Sequence, residues 1–286
     1  MRRSSARTVA QNMTIQDGIS VVIPCYRCSD TLGCALASVL AQSRLPQEII
    51  MVDDCSNDGQ KTLDAIRRFQ NETSHIAVKI ISLEQNVGPG SARNAGWDIA
   101  TQPLVAFLDA DDSWHPKKLE IQSSWMYQHP EVDLTGHTSI NIEKQCPPSA
   151  LPPLRAFRIS TMRLLLSNCL PMRSVMLKRG LEQRFCPGKR QAEDYLLWLT
   201  LAYSGRHLEL LNLPLSYSYK EDFGEDGLSA QLSQGYLGVV DTYRQILDAG
   251  FIGKSLYIGL IFLAYLKYMR RRCISMLRSW YGAKKR

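Results

Sequence analysis

The last twenty residues contain no acidic side chain, although Lys267, Arg270, Arg271, Arg272, Arg278, Lys284, Lys285 and Arg286 all lie there. Without those eight cations the chain carries 26 basic against 27 acidic residues, so the formal charge of +7 is a property of the tail. A nearly neutral body argues against a nucleic-acid-binding face and directs the basicity toward an anionic membrane surface. Paired cysteine spacing is also missing. Cys25-x-x-Cys28 has no second such pair and no nearby histidine to complete a zinc or redox site, and the eight cysteines read as reduced cytosolic thiols. Met1 to Asp17 holds Arg2, Arg3 and Arg7 without an apolar core, so no secretory signal is read there and residues 1–17 are expected to be disordered. Finally, there is no spanning helix in the apolar stretch Phe251 to Met269, whose uncharged core, Ser255 to Leu266, is twelve residues against the roughly twenty a span requires. Flanked by Lys267 and Arg270 to Arg272, it is expected to lie in the headgroup region of an anionic leaflet. The rival is a helix packed on the domain with a solvated basic end.

What is present is a repeating pattern. Ile19 to Pro24, Glu48 to Val52, Val78 to Leu83 and Leu104 to Leu108 are short apolar runs of strand type. Between them lie helical segments: one capped by Ser29 or Asp30 with Leu32, Leu36, Val39 and Leu40 on its apolar face, one with Leu63, Ile66 and Phe69, and one from about Ser91 to Ala100. Strand alternating with helix at this spacing predicts parallel pairing, right-handed crossovers and an open doubly wound α/β sheet. Ligands of such sheets sit beyond the carboxyl ends of the strands. All four strands end in polar residues: Cys25 and Tyr26, Asp53 and Asp54, Gln85 and Asn86, and Asp109 to Asp112.

The fourth end is the most telling. Asp109, Asp111 and Asp112 repel one another unless a cation sits among them, and oxygen ligands suit Mg2+ or Mn2+, with a diphosphate completing the shell. Pro116 is placed to open the next helix. The loop Gly88-Pro-Gly-Ser-Ala-Arg93 is not a dinucleotide fingerprint, because Arg93 replaces the third glycine and the loop follows the third strand. With a helix N-terminus, Arg93 forms a candidate site for a phosphate or the edge of a base.

Four ordered segments, Ser20 to Tyr26, Glu48 to Ser56, Asn86 to Gly96 and Ala106 to Leu119, closely resemble successive signatures of the family 2 glycosyltransferases with the GT-A fold. The similarity runs from about Ile19 to Tyr219. It implies a nucleotide-diphosphate sugar donor, with UDP the default. By the same resemblance Pro24 and Tyr26 wall the nucleoside, Asp54 bonds the base and Arg93 lies near the nucleotide. Asp109 and Asp111 match the acids of the DxD motif, Asp111 as direct metal ligand and Asp109 nearer the ribose, with Asp112 behind them. Gln191 to Trp198 looks like the family's Glu-Asp motif, in which Asp194 matches the catalytic base and Leu196, Leu197 and Thr200 face the core. A carboxylate there answers a chemical need, since an acceptor hydroxyl is a poor nucleophile until its proton is taken. Ser167 to Leu177 resembles the segment beneath the acceptor.

The expected organisation is a GT-A domain at residues 18–222, with a nucleotide-sugar half at about 18–115 and an acceptor half at about 116–222, then a basic, amphipathic helical extension at 223–286. The proline pairs at 147–148 and 152–153 mark a mobile connection within it, and the acidic segment Lys220 to Ser229 departs from the basic loop expected there. The activity implied is inverting, metal-dependent sugar transfer to a saccharide or lipid-linked saccharide of a bacterial surface polymer, at the cytoplasmic face of the membrane. Two rivals remain. A nucleotidyltransferase would need a lysine-rich glycine loop after the first strand, which Cys25-Tyr-Arg-Cys28 is not; a non-catalytic sugar-nucleotide-binding protein would keep the donor site and not need Asp194.

Overall fold

The computed structural model describes residues 17–142, 146–148, 150–219 and 232–283, with side chains as far as Ile274. The expected disorder of residues 1–17, Asp17 apart, and the acidic segment Lys220 to Ser229 lie outside the described residues. Strands β1 (Ile19–Cys25), β2 (Glu48–Asp53), β3 (Ala77–Ser82) and β4 (Leu104–Phe107) pair in parallel in the order β3-β2-β1-β4. Helices α1 (Leu32–Leu40), α2 (Lys61–Glu72) and α3 (Pro89–Ile99) connect them. Strands β1, β2 and β4 read as largely apolar runs because both of their faces are covered, while the edge strand β3 is half-exposed. Val21, Ile23, Ile49 and Met51 join the core on the side of α1 and Ile66 of α2, while Val22, Ile50 and Val52 join Ala92 and Trp97 of α3.

Local details differ from the expectation in three places. Thr31, not Ser29 or Asp30, stands at the start of α1 and makes no side-chain cap, the Ser29 hydroxyl being spent on Asp30. Helix α3 begins two residues before Ser91 because Pro89, with its φ already fixed, occupies the first turn. Pro116 does not open the helix after the acid loop. Asp112–Trp114 instead forms a short strand, β5, with Trp114 buried and its indole N–H donating to the Arg173 carbonyl at 2.8 Å, and α4 starts at Lys118 (Lys118–Gln128).

Beyond β4 the sheet becomes mixed. The order continues through β8 (Met176–Lys178), β6 (Leu134–Asn141), β9 (Leu208–Ser218) and β5, with β7 (Ala156–Arg158) also on β9, which makes nine strands among the described residues. The β6–β9 register is interrupted between His137 and Ser139. Helices α5 (Thr161–Leu166) and α6 (Glu193–Tyr203) follow in this half, then α7 (Leu232–Asp248) and α8 (Lys254–Ala283). A chain of edge-to-face aromatic contacts joins the two halves. Trp97 meets Phe107 at 5.6 Å, Phe107 meets Phe185 at 5.7 Å, and Phe185 meets Trp198 of α6 at 6.3 Å.

Helix α8 lies against the domain on one side and is open on the other. Leu260 and Ala264 are buried, and Tyr236 of α7 stacks on Tyr268. Ile258 and Phe262 are 66% and 62% exposed, and Leu266 and Met269 continue the same apolar stripe. Among the described residues no helix is long and apolar enough to cross a membrane.

Close contact of α3 with β1 and β2 fixes the parallel half. A Cβ on Gly96 would stand 2.5 Å from Cγ1 of Val22 and 3.2 Å from Cγ2 of Val52, both buried strand residues. Gly96→Ala is therefore expected to destabilise the fold by about 1–3 kcal/mol, read as a lower denaturation midpoint in urea; an unchanged midpoint would show that α3 can lift from the sheet without cost.

Candidate active site

The carboxyl ends of β1, β2 and β4 converge, and the backbone there is held in unusual conformations. Arg27, Cys55 and Ala192 adopt φ of 48°, 55° and 55°, the left-handed region that side chains with a Cβ avoid. Arg27 adjoins Tyr26 and Cys55 adjoins Asp54, while Ala192 stands just before the turn of Glu193 and Asp194 that opens α6. Tyr26 is 47% exposed beyond β1, next to Pro24, with the Arg27 guanidinium 5.3 Å from its ring centroid.

Asp54 is buried, and the protein engages both of its oxygens. Oδ1 accepts from the Val87 N–H at 2.7 Å, while Oδ2 accepts from the Gly88 N–H at 2.9 Å and from the Asn86 amide at 3.0 Å. It ties the glycine loop to β2. Its neighbour Asp53 is also buried, and Oδ1 of Asp53 has no hydrogen-bond partner among the described residues.

Arg93 is the centre of the arrangement. Its guanidinium is buried between two carboxylates, donating from Nη2 to Asp109 Oδ1 at 2.6 Å and from Nη1 to Glu193 Oε1 at 3.0 Å. These two charges hold it protonated more firmly than usual against the opposing effect of burial. Asp109 belongs to the acid loop and Glu193 to the first turn of α6, so one planar fork joins the loop after β4 to the helix that carries Asp194.

In the acid loop, the Asp112 N–H returns to the Asp109 carbonyl at 3.1 Å, a tight turn that gathers the three aspartates. Asp112 is buried and meets Arg173 Nη1 at 3.2 Å, yet its carboxyl is pushed up to about 7 by burial and by the charges of Asp109 and Asp111. Asp109 and Asp111 remain partly exposed. Among the described residues no group of three or more His, Cys, Asp or Glu side chains could hold an ion by itself.

Asp194 sits on the wall of a cavity of about 560 Å³ bounded by the end of α5, the start of α6, α7 and α8. The Asn168 amide donates to its Oδ2 at 3.0 Å, and the Tyr195 N–H to its Oδ1 at 2.6 Å. Burial raises its pKa to about 7, with the neighbouring charge of Glu193 acting in the same direction. A carboxylate balanced near neutrality can accept a proton and pass it on.

The family model for glycosyl transferase family 2 matches residues 20–182. The chain belongs to that family. The Escherichia coli UDP-Glc:alpha-D-GlcNAc-diphosphoundecaprenol beta-1,3-glucosyltransferase WfgD is 30% identical over 64% of this chain and 69% of its own. The Bacillus subtilis putative teichuronic acid biosynthesis glycosyltransferase TuaG is 32% identical over 65% of this chain and 73% of its own. Among solved structures, S. aureus TarS 1-349 in complex with UDP-GlcNAc aligns with a TM-score of 0.65 at 21% identity, over 85% of this chain and 70% of TarS. The Pyrobaculum calidifontis mannosyltransferase PcManGT, in complex with GDP-Man and Mn2+, aligns with a TM-score of 0.62 at 17% identity, over 93% and 79% of the two chains. The fold of this glycosyltransferase is thus that of the GT-A enzymes.

For a family 2 glycosyltransferase the structure adds residues that the sequence did not single out as site residues. Glu193 emerges through Arg93, and Asn168 through Asp194. The only signals in sequence were the adjacency of Glu193 to Asp194 and the place of Asn168 in the segment after α5. The contributions of α7 and α8 to the cavity had no signal of their own. Removing the guanidinium leaves Asp109 and Glu193 facing each other unpaired. Arg93→Met is expected to cost about 3–5 kcal/mol, and Arg93→Lys, which keeps the charge but not the fork, less; thermal denaturation of the pair measures both, and an unperturbed Met variant would show the bridge to be dispensable.

Proposed function

We propose that this glycosyltransferase moves a sugar from a nucleoside-diphosphate donor, UDP-linked by default, to a hydroxyl of a lipid-linked saccharide. The transfer inverts the anomeric carbon and serves synthesis of a bacterial surface polysaccharide. The observation that carries the reading is the run of contacts from the acid loop through Arg93 and Glu193 to Asp194, which ends on an open cavity.

In this reading the donor lies over the ends of β1, β2 and β4. Pro24 and Tyr26 flank the nucleoside. Asp54 bonds the base while its carboxylate also shapes the glycine loop. Asp109 faces the ribose while its contact with Arg93 fixes its orientation. Crowded acids of one turn, two of them open to solvent, fit Mg2+ or Mn2+, ions that take one or two carboxylates together with substrate phosphates. Asp111, with Asp109, would hold such an ion, whose chemistry is to stabilise charge on the departing diphosphate. Asp194 takes the proton of the acceptor hydroxyl, and attack from its side, opposite the leaving group, gives inversion. Asn168 keeps that carboxylate turned toward the cavity.

The lipid-linked acceptor is supported by the names of the E. coli relatives WfgD and WfaP, which specify GlcNAc on diphosphoundecaprenol. The transfer takes place at the cytoplasmic face of the membrane, and attachment to a bilayer is supported by α8. Its exposed stripe of Ile258, Phe262, Leu266 and Met269 runs into Arg270, Arg271 and Arg272, the composition of a helix lying in an anionic interface.

Two experiments test these points. Calorimetry with UDP, GDP and dTDP should find one nucleotide bound only with Mn2+, retained by Asp194→Asn and lost by Asp111→Asn. Transfer by Asp194→Asn should fall by about 10²–10⁴-fold, and the wild-type rate should decline as pH drops through about 7, where Asp194 takes up a proton. Full transfer by the Asn variant would remove Asp194 as the base. In vesicle flotation, Ile258→Glu with Phe262→Glu should release the protein from phosphatidylglycerol bilayers, and unchanged flotation would end the membrane role of α8.

A further inference from the structure

One wall of the Asp194 cavity has no part in the transfer chemistry described above. Lys267 and Arg271, one turn apart on α8, line it together with Tyr268, and Tyr236 of α7 stacks on Tyr268 with centroids 4.9 Å apart. The Lys267 ammonium donates to the Leu166 carbonyl, and two residues later Asn168 holds Asp194. Two residues of extended chain cover at most about 7 Å, so one short stretch ties the cationic wall to the catalytic carboxylate. Burial, and then the charge of Arg271, hold the Lys267 ammonium below its ordinary pKa. Two cations one turn apart on a single cavity wall are the surroundings that a phosphate dianion relieves.

The outward stripe of α8 makes a bilayer headgroup a poor candidate for that anion. Ile258, Phe262, Leu266 and Met269 recur at helical spacing on the side of α8 opposite Ala264, Lys267 and Arg271. A leaflet met by the stripe lies behind the helix, away from the cavity.

We infer that Lys267 and Arg271 bind a phosphate or diphosphate ester carried by the acceptor itself, at the anomeric end of the sugar whose hydroxyl faces Asp194. This rests on the transfer reading of Asp194. It narrows the acceptor to the class of glycosyl phosphate esters, with Tyr236 and Tyr268 beside the sugar, and makes a neutral glycoside a poor ligand. The tail basicity then has two uses, one toward the substrate and one toward the leaflet.

The test is calorimetry on the full chain, free of divalent metal, with N-acetylglucosamine on decyl diphosphate, the neutral decyl glycoside of the same sugar, and inorganic diphosphate. The charged glycolipid should bind about tenfold or more tightly than the neutral one. Inorganic diphosphate should compete with it. Lys267→Gln with Arg271→Gln should lose that preference, and Lys267→Arg with Arg271→Lys should keep most of it. UDP binding with Mn2+ should be the same in every variant, so a failed donor site is recognised separately. The inference is overturned if wild-type protein that binds UDP binds both glycolipids equally or neither, a comparison that holds even if the glutamine variant misfolds. It is also overturned if the glutamine variant, still binding UDP, keeps the preference, or if phosphatidylglycerol vesicles displace the glycolipid as well as diphosphate does.

Discussion

The pairing of Arg93 with Asp109 and Glu193 is the constraint on which the rest of the site depends. A guanidinium this deeply buried must be met by opposite charge, and it finds one carboxylate in the loop after β4 and another at the head of α6. The partners are far apart in the chain, one in the loop after β4 and the other in the first turn of α6. Satisfying one buried cation therefore sets the separation between the acids proposed for the donor and the acid proposed for the acceptor. The ring of Phe185, 5.7 Å from the Arg93 guanidinium, connects this polar bridge to the aromatic chain from Trp97 to Trp198, so packing and charge enforce the same spacing.

Around that bridge the chain divides its tasks by kind of structure. The parallel strands supply rigid ends and the loops after them supply polar groups, several on backbone held in the left-handed region. Helices α6, α7 and α8 supply volume. They enclose a cavity that the sheet alone does not have, and its wall carries the aromatic and cationic side chains of the last helix.

Much of the parallel half was legible in sequence because strands covered on both faces must be apolar throughout, and because their polar ends announce themselves by contrast. Helix starts were less legible. Ser29 and Asp30 satisfied each other instead of the α1 backbone, and α4 began two residues beyond Pro116, after a strand, β5, in which Trp114 has a buried position and an indole partner available only in the folded sheet. The acids of the site were visible as residue types, but not their engagements. Nothing local tells that Asp54 spends its oxygens on the glycine loop or that Arg93 reaches Glu193, since those partners come together only through the folded sheet. For the same reason α8 could be read as amphipathic while its inner face, turned to the cavity, could not.

The turn between β4 and β5 has one more implication. In a flat sheet those strands, four places apart in the order, would stand about 19 Å from each other, yet the Asp109–Asp112 turn brings the chain back on itself within about 7 Å. The sheet must therefore curl between β4 and β5, and the register of β6 on β9 is interrupted along that path. The acid loop acts as a stitch across that curl. Its carboxylates therefore take their positions in part from strands that stand up to four places away in the sheet.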